Sequence, residues 1–113
     1  MSPRKEVQVY LFDILFQIEV IESELPAISH EEFMKRALYQ NAMIRSIEVI
    51  GEAVKNIPDT YKAEHPEIPW KQMAGTRDKL IHGYAAIDLM QIWNILQYDI
   101  PPLKRGIVKL LSA

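Results

Sequence analysis

Apolar residues recur at three- and four-residue spacing along most of the chain and never alternate over the length of a strand, which restricts it to helices. Over residues 4–23, Tyr10, Ile14, Ile18 and Ile21 repeat at that spacing, with Leu11 and Leu15 beside them. Ser2 supplies an N-cap and Pro3 suits the first helical position. Val9, Phe12, Phe16 and Val20 form a second apolar stripe on the same helix. Two stripes need two partners. One is the core of the domain. The other is a second subunit, or else the helix lies deep inside one bundle. A chain of 113 residues has little interior to spare, which favours the second subunit.

Prolines, glycines and caps divide the remainder. Glu24–Ile28 reads as a linker, and Ser29 followed by Glu32 is a capping box. The second helix is expected from His30 to about Asn56, where Pro58 prevents continuation. Its buried stripe is read as Phe33, Ala37, Ile44, Ile47, Ile50 and Val54, interrupted by Gly51. A glycine inside a helix costs up to about 1 kcal/mol and usually marks a close helix contact. Residues 58–68 read as a loop. Ile68-Pro69-Trp70 opens a third helix, with Pro69 at its first position, that reaches His82 and stops at Gly83. Gly75 lies inside it, and Gly51 with Gly75 is expected to let the second and third helices approach closely. Asp88 and Gln91 cap a fourth helix whose apolar face is Leu89, Ile92, Trp93 and Leu96. Pro101-Pro102 should break or kink the chain, and Leu103, Ile107, Leu110 and Leu111 continue at helical spacing. The expected fold class is all-α: an antiparallel four-helix bundle with a short extra C-terminal helix, residues 1–113 forming a single domain.

Composition narrows the function. The absence of cysteine excludes disulfides, thiolate zinc sites and a thiol nucleophile, and is compatible with the cytoplasm, the expected location. No continuous apolar stretch reads as a signal peptide or a transmembrane span, so no membrane partner is expected. The net charge of -2 opposes phosphate, so a nucleic-acid partner needs a local basic patch. Lys71, Lys79 and Arg45 are candidates for it, although a solvated helix face explains them equally well. No tight cluster of carboxylates and histidines suggests a metal, and no cofactor is expected.

Chemistry-bearing residues concentrate in Met73–Tyr84, which carries Arg77, Asp78, His82 and Tyr84. Asp78 and His82, four apart, are neighbours on one helix face. Arg77 and His82, five apart, lie about 140° around the axis and flank a groove without stacking. The last helical turn and Asp78 both favour protonated His82, as a proton donor requires. Arg77 offers planar donors suited to a phosphate and its developing charge. This pair suffices for metal-independent RNA cleavage: the 2′-hydroxyl attacks the adjacent phosphate, His82 moves the proton and Arg77 holds the phosphorane oxygens. The structural alternative is a helix-end hydrogen bond between Asp78 and His82, with Arg77 in an ion pair with Asp78, Glu48 or Glu52. Tyr84 taken alone reads as a packing residue with a satisfied hydroxyl, and Trp70 and Trp93 read as core residues rather than RNA-stacking platforms.

Arg77, four residues, His82, one residue and Tyr84 resembles the Arg-x4-His-x-Tyr signature of the HepT-like toxins of the HEPN superfamily. Ile68-Pro69-Trp70, Ala74-Gly75-Thr76-Arg77, Asp88 with Trp93, and Ile47–Ala53 are similar to that family's flanking segments, so the resemblance covers nearly the whole chain. It implies a helical homodimer whose paired motifs line a cleft, acting as the toxin of a toxin–antitoxin pair. It implies that Arg77 and His82 are the ribonuclease residues, supported by Asp78, on an RNA substrate. The implied partner is an MntA-like nucleotidyltransferase antitoxin that transfers AMP to Tyr84, placing negative charge beside Arg77 and His82. The competing expectation is a non-catalytic HEPN binding module that docks the nucleotidyltransferase, or binds nucleotide or RNA, without cleavage. Because one helix presents Arg77 and His82 too far apart for a compact dyad, a second subunit is expected to complete the site.

Overall fold

Helix α1 (Pro3–Glu24) fixes the frame of the molecule. In this computed structural model the described residues are 3–82 and 88–112, with side chains described for 6–80 and 88–112. Val7, Leu11, Ile14, Ile18 and Ile21 line one side of α1 and are sealed from solvent. Tyr10 and Leu15 pack half-buried at its margin. The second stripe is open: Phe12 is 58% exposed, Phe16 63%, and Val9 and Val20 are exposed with them. One chain therefore does not bury α1 on both sides, and the deep-in-bundle alternative fails.

After a 3-10 turn (Leu25–Ala27), Ser29 caps α2 (His30–Lys35) with the expected box: its hydroxyl accepts from the Glu32 amide at 3.1 Å, and its own amide donates to the Glu32 carboxylate at 3.4 Å. The expected continuous second helix is interrupted. Arg36 is extended (φ -111°, ψ 106°), and α3 (Ala37–Asn56) starts anew. The break leaves the Phe33 carbonyl outside the helical ladder, and the Gln40 side-chain amide donates to it at 2.9 Å. Ala37 consequently turns to solvent instead of joining the buried stripe, while Phe33, Ile44, Ile47, Ile50 and Val54 are buried as expected.

The stretch read as a loop contains α4 (Asp59–Glu64), begun by the Pro58 carbonyl accepting from the Lys62 amide at 3.1 Å. Its Tyr61 ring lies against His65 and Trp70, and the Trp70 indole donates to the His65 carbonyl at 2.9 Å. These contacts anchor the start of α5 (Trp70–His82). Pro69 stands just ahead of α5, its carbonyl accepting from the Met73 amide at 3.2 Å.

Asp88 caps α6 (Leu89–Asn94), accepting from the amides of Met90 and Gln91. The expected separate C-terminal helix is a continuation. A π turn (Ile95–Asp99) joins α6 to α7 (Ile100–Ser112), its wider path marked by the Ile100 amide donating to the Ile95 carbonyl. Pro101 and Pro102 lack amide protons and crowd the carbonyls one turn back, so a wider turn ahead of them accommodates both without ending the helix.

Helix α3 is central, packing against α1 on one side and α5 on the other, while α7 packs on α1. The Lys104–Glu22 pair at 2.6 Å ties α7 to α1, and the His30, Phe33 and Trp93 rings join α2 to α6. All described secondary structure is helical. No helix among the described residues is long and apolar enough to cross a membrane.

Candidate functional site

Helix α5 approaches α3 most closely at Gly51. A Cβ there would collide with the Arg77 side chain and sit 2.9 Å from the Met73 carbonyl oxygen. The glycine thus leaves the space through which the Arg77 stem passes, and Gly51 fulfils its expected role in close packing. Gly75 does not: no described atom lies within 4 Å of where its Cβ would be, so it is not a contact point between α5 and α3.

Arg77 crosses Gly51 to reach an ionic row at the α3–α5 seam. Its guanidinium pairs with Glu52 at 2.6 Å and with the carboxylate of Asp78 at 3.2 Å. The same Asp78 oxygen accepts from Lys55 at 2.9 Å. Only 21% of the Arg77 side chain is exposed, so the guanidinium is held at the rim of the seam. Two of its five donors are committed to these carboxylates, leaving others for a ligand. Lys55 first, and Arg77 second, hold the Asp78 carboxyl below the ordinary aspartate range by hydrogen bonding to its charged form. Asp78 is therefore a carboxylate at physiological pH, with one oxygen already shared by two cations. The Lys55–Asp78 pair is open to solvent on both sides and contributes little to stability.

The structure brings Arg77 and Asp78 together, and realises the ion pair with Glu52 that the sequence left open beside Glu48. Lys55, 23 positions from Asp78, carried no sequence signal because the contact depends on how two helices dock. His82 closes α5; its side chain lies outside the described residues, and so does Tyr84 altogether. By helix periodicity the backbone position of His82 falls about 140° around the axis from that of Arg77, on the side of α5 opposite the α3 seam. That other side of α5 borders a groove of about 510 Å³, walled opposite by α6 and the π turn.

Residues 14–110 match the family model described as "Ribonuclease HepT-like". A protein from Thermococcus cleftensis named as a probable ribonuclease HepT is 48% identical over 89% of this chain and 92% of its own length. Proteins from Methanocaldococcus jannaschii (38% identical over 97% of this chain and 95% of theirs) and Caldanaerobacter subterraneus subsp. tengcongensis (39% identical over 96% of each) are both named provisionally as RNases. No solved structure matches. With most of its length inside the family model and relatives of this identity spanning nearly all of both chains, this chain belongs to the HepT-like ribonuclease family.

Proposed function

We propose that the chain is an RNA-cleaving toxin acting without a metal, with Arg77 and His82 as its catalytic residues. The observation that carries this reading is that both residues lie on α5, inside the matched family region, with the Arg77 guanidinium fixed at the helix seam. In the reaction the RNA 2′-oxygen bonds to the adjacent phosphorus as the bond to the 5′-oxygen breaks. The products are a cyclic 2′,3′-phosphate and a 5′-hydroxyl end. A histidine takes the 2′-hydroxyl proton or supplies one to the leaving oxygen, and Arg77 stabilises the charge that collects on the phosphorane. The 140° separation within one helix motivates a homodimer, in which facing copies of α5 complete the site. The exposed apolar stripe on α1 supports self-association as a property of the chain. The same reading treats residues 1–113 as one domain built on an antiparallel four-helix plan and places the protein in the cytoplasm.

The test is cleavage of RNA by purified protein in the presence of a chelator. His82→Ala is expected to abolish cleavage while leaving the unfolding transition and the oligomeric state unchanged. Equal cleavage by the variant would remove His82 from the mechanism.

Regulation belongs to the same proposal. An MntA-like nucleotidyltransferase antitoxin transfers AMP to Tyr84, adding negative charge near Arg77 and His82 and obstructing RNA. Co-expression with such an enzyme and ATP is expected to add AMP masses to the peptide containing Tyr84. Undiminished modification of Tyr84→Phe would place the acceptor elsewhere.

One observation favours a second reading, a binding module that docks the nucleotidyltransferase or binds RNA without cutting: Arg77 is already engaged by the carboxylates of Glu52 and Asp78. RNA or partner binding by wild-type protein with no turnover is the outcome that selects it.

A further inference from the structure

The groove on the side of α5 away from α3 is built differently from the Arg77 seam. Lys71, Gly75 and Lys79 line its α5 wall; Gln91, Asn94 and Tyr98 line the other. Neither lysine forms an ion pair among the described residues, in contrast to Lys55, Lys62 and Lys104. The two lysines stand eight residues apart on one helix, about 12 Å along its axis. The side chains of Gln91 and Asn94 have no hydrogen-bond partner among the described residues, and each offers both donors and an acceptor. Tyr98 leaves 72% of its surface in solvent. The one carboxylate in the lining, Asp99, is tied to Gln72 at 3.0 Å. The lining therefore carries a net positive charge on a chain whose net charge is -2.

We propose that this groove is the substrate channel for single-stranded RNA, with Lys71 and Lys79 on successive parts of the phosphate backbone, Gln91 and Asn94 on base edges, and Tyr98 as a stacking platform. Cations spread over about 12 Å exceed what one phosphate needs, which points to a strand rather than a mononucleotide. Base stacking on an exposed ring and backbone tracking by lysines are the two means by which single strands are held with little sequence preference. Gly75 sits between the two lysines with open space over it, so a strand can lie against the helix backbone. The helix position of His82 is about 20° around the axis from that of Lys71 and three residues beyond Lys79, on the same side of α5 as the groove lining. The inference rests on the ribonuclease reading and adds the path by which the strand reaches His82.

The experiment measures binding apart from cleavage. A fluorescent 2′-O-methyl oligoribonucleotide lacks the nucleophile and cannot be cut, and its anisotropy reports binding to the full chain at low salt. The double variant Lys71→Gln/Lys79→Gln is expected to bind at least tenfold more weakly, with the slope of log affinity against log salt reduced by about 1.4 for two lost phosphate contacts. Tyr98→Ala is expected to weaken binding about tenfold. Lys109→Gln, on exposed α7 surface outside the groove, is expected to bind as wild type. All these positions are exposed, so each variant is expected to keep the wild-type unfolding transition, which an unfolding curve checks. Failure of wild-type protein to bind, or equal affinity and salt slope in the double variant, overturns the channel. A changed oligomeric state with unchanged RNA affinity also overturns it, assigning the groove to a second copy of the chain. If the channel fails while His82→Ala still abolishes cleavage, the ribonuclease reading stands. If RNA binds through the groove and wild type cuts nothing, the channel stands and the ribonuclease reading falls.

Discussion

The two sides of α5 treat glycine and charge in opposite ways. Toward α3, the missing side chain of Gly51 is filled by Arg77, and the charged groups beside it are paired: Glu52 with Arg77, and Asp78 with Arg77 and Lys55. Toward α6, Gly75 faces open space, and Lys71 and Lys79 have no counterion among the described residues. A glycine that admits a neighbour is explained by the fold. A glycine that admits nothing inside a helix still carries the entropic cost of the residue without any packing return. The difference separates two jobs on one helix. The seam immobilises the guanidinium, and the groove keeps its cations available.

The largest effect is expected from filling the seam. Gly51→Ala places a methyl group where the Arg77 stem runs, so α3 and α5 must part or Arg77 must swing away. Overpacking of this kind costs about 1–3 kcal/mol, only partly offset by alanine's better helix propensity. Because the displaced group is the proposed phosphate anchor, cleavage is expected to fall about 100-fold, more than the loss of stability alone would cause. Urea unfolding together with RNA turnover under fully folded conditions checks both parts. If Gly51→Ala unfolds and cleaves like wild type, the close approach at Gly51 is not what places Arg77, and the contrast between the two sides of α5 loses one of its terms.

The seam was also the more legible side. Gly51 was identifiable as a contact point because a buried stripe on α3 runs straight through it, and Arg77 was identifiable from its motif. The same logic misassigned Gly75, because helix periodicity gives the face of a residue but not what stands opposite it. The break at Arg36 was hidden for a related reason: its stabilising contact comes from the Gln40 side chain, which no periodic pattern reports. The prolines at 101 and 102 break or kink a regular α-helix, and the π turn ahead of them provides an alternative that local propensity does not reveal. The exposed stripe of α1 was legible as a face, and its solvent exposure excluded only one of the two explanations offered for it. Gln91, Asn94 and Tyr98 gave no warning, since their importance comes from facing α5 across a groove.

A smaller effect, opposite in sign, tests the other side of α5. Gly75→Ala adds a methyl group where no described atom lies within 4 Å, so nothing opposes the gain in helix propensity. The variant is expected to be more stable by about 0.5–1 kcal/mol, seen as a rise of a few degrees in Tm. In the same protein the methyl stands on the groove wall between Lys71 and Lys79, where the proposed strand passes, and affinity for the uncleavable oligonucleotide is expected to drop several-fold. Stability and binding thus move in opposite directions, as they should at a position kept small for a ligand instead of for the fold. A variant that is less stable would mean that a part of the molecule packs on Gly75 after all, making the two sides of α5 alike. A variant that is more stable and binds RNA as tightly as wild type would leave the lysines and Tyr98 as the channel's contacts and remove close backbone approach from the proposal.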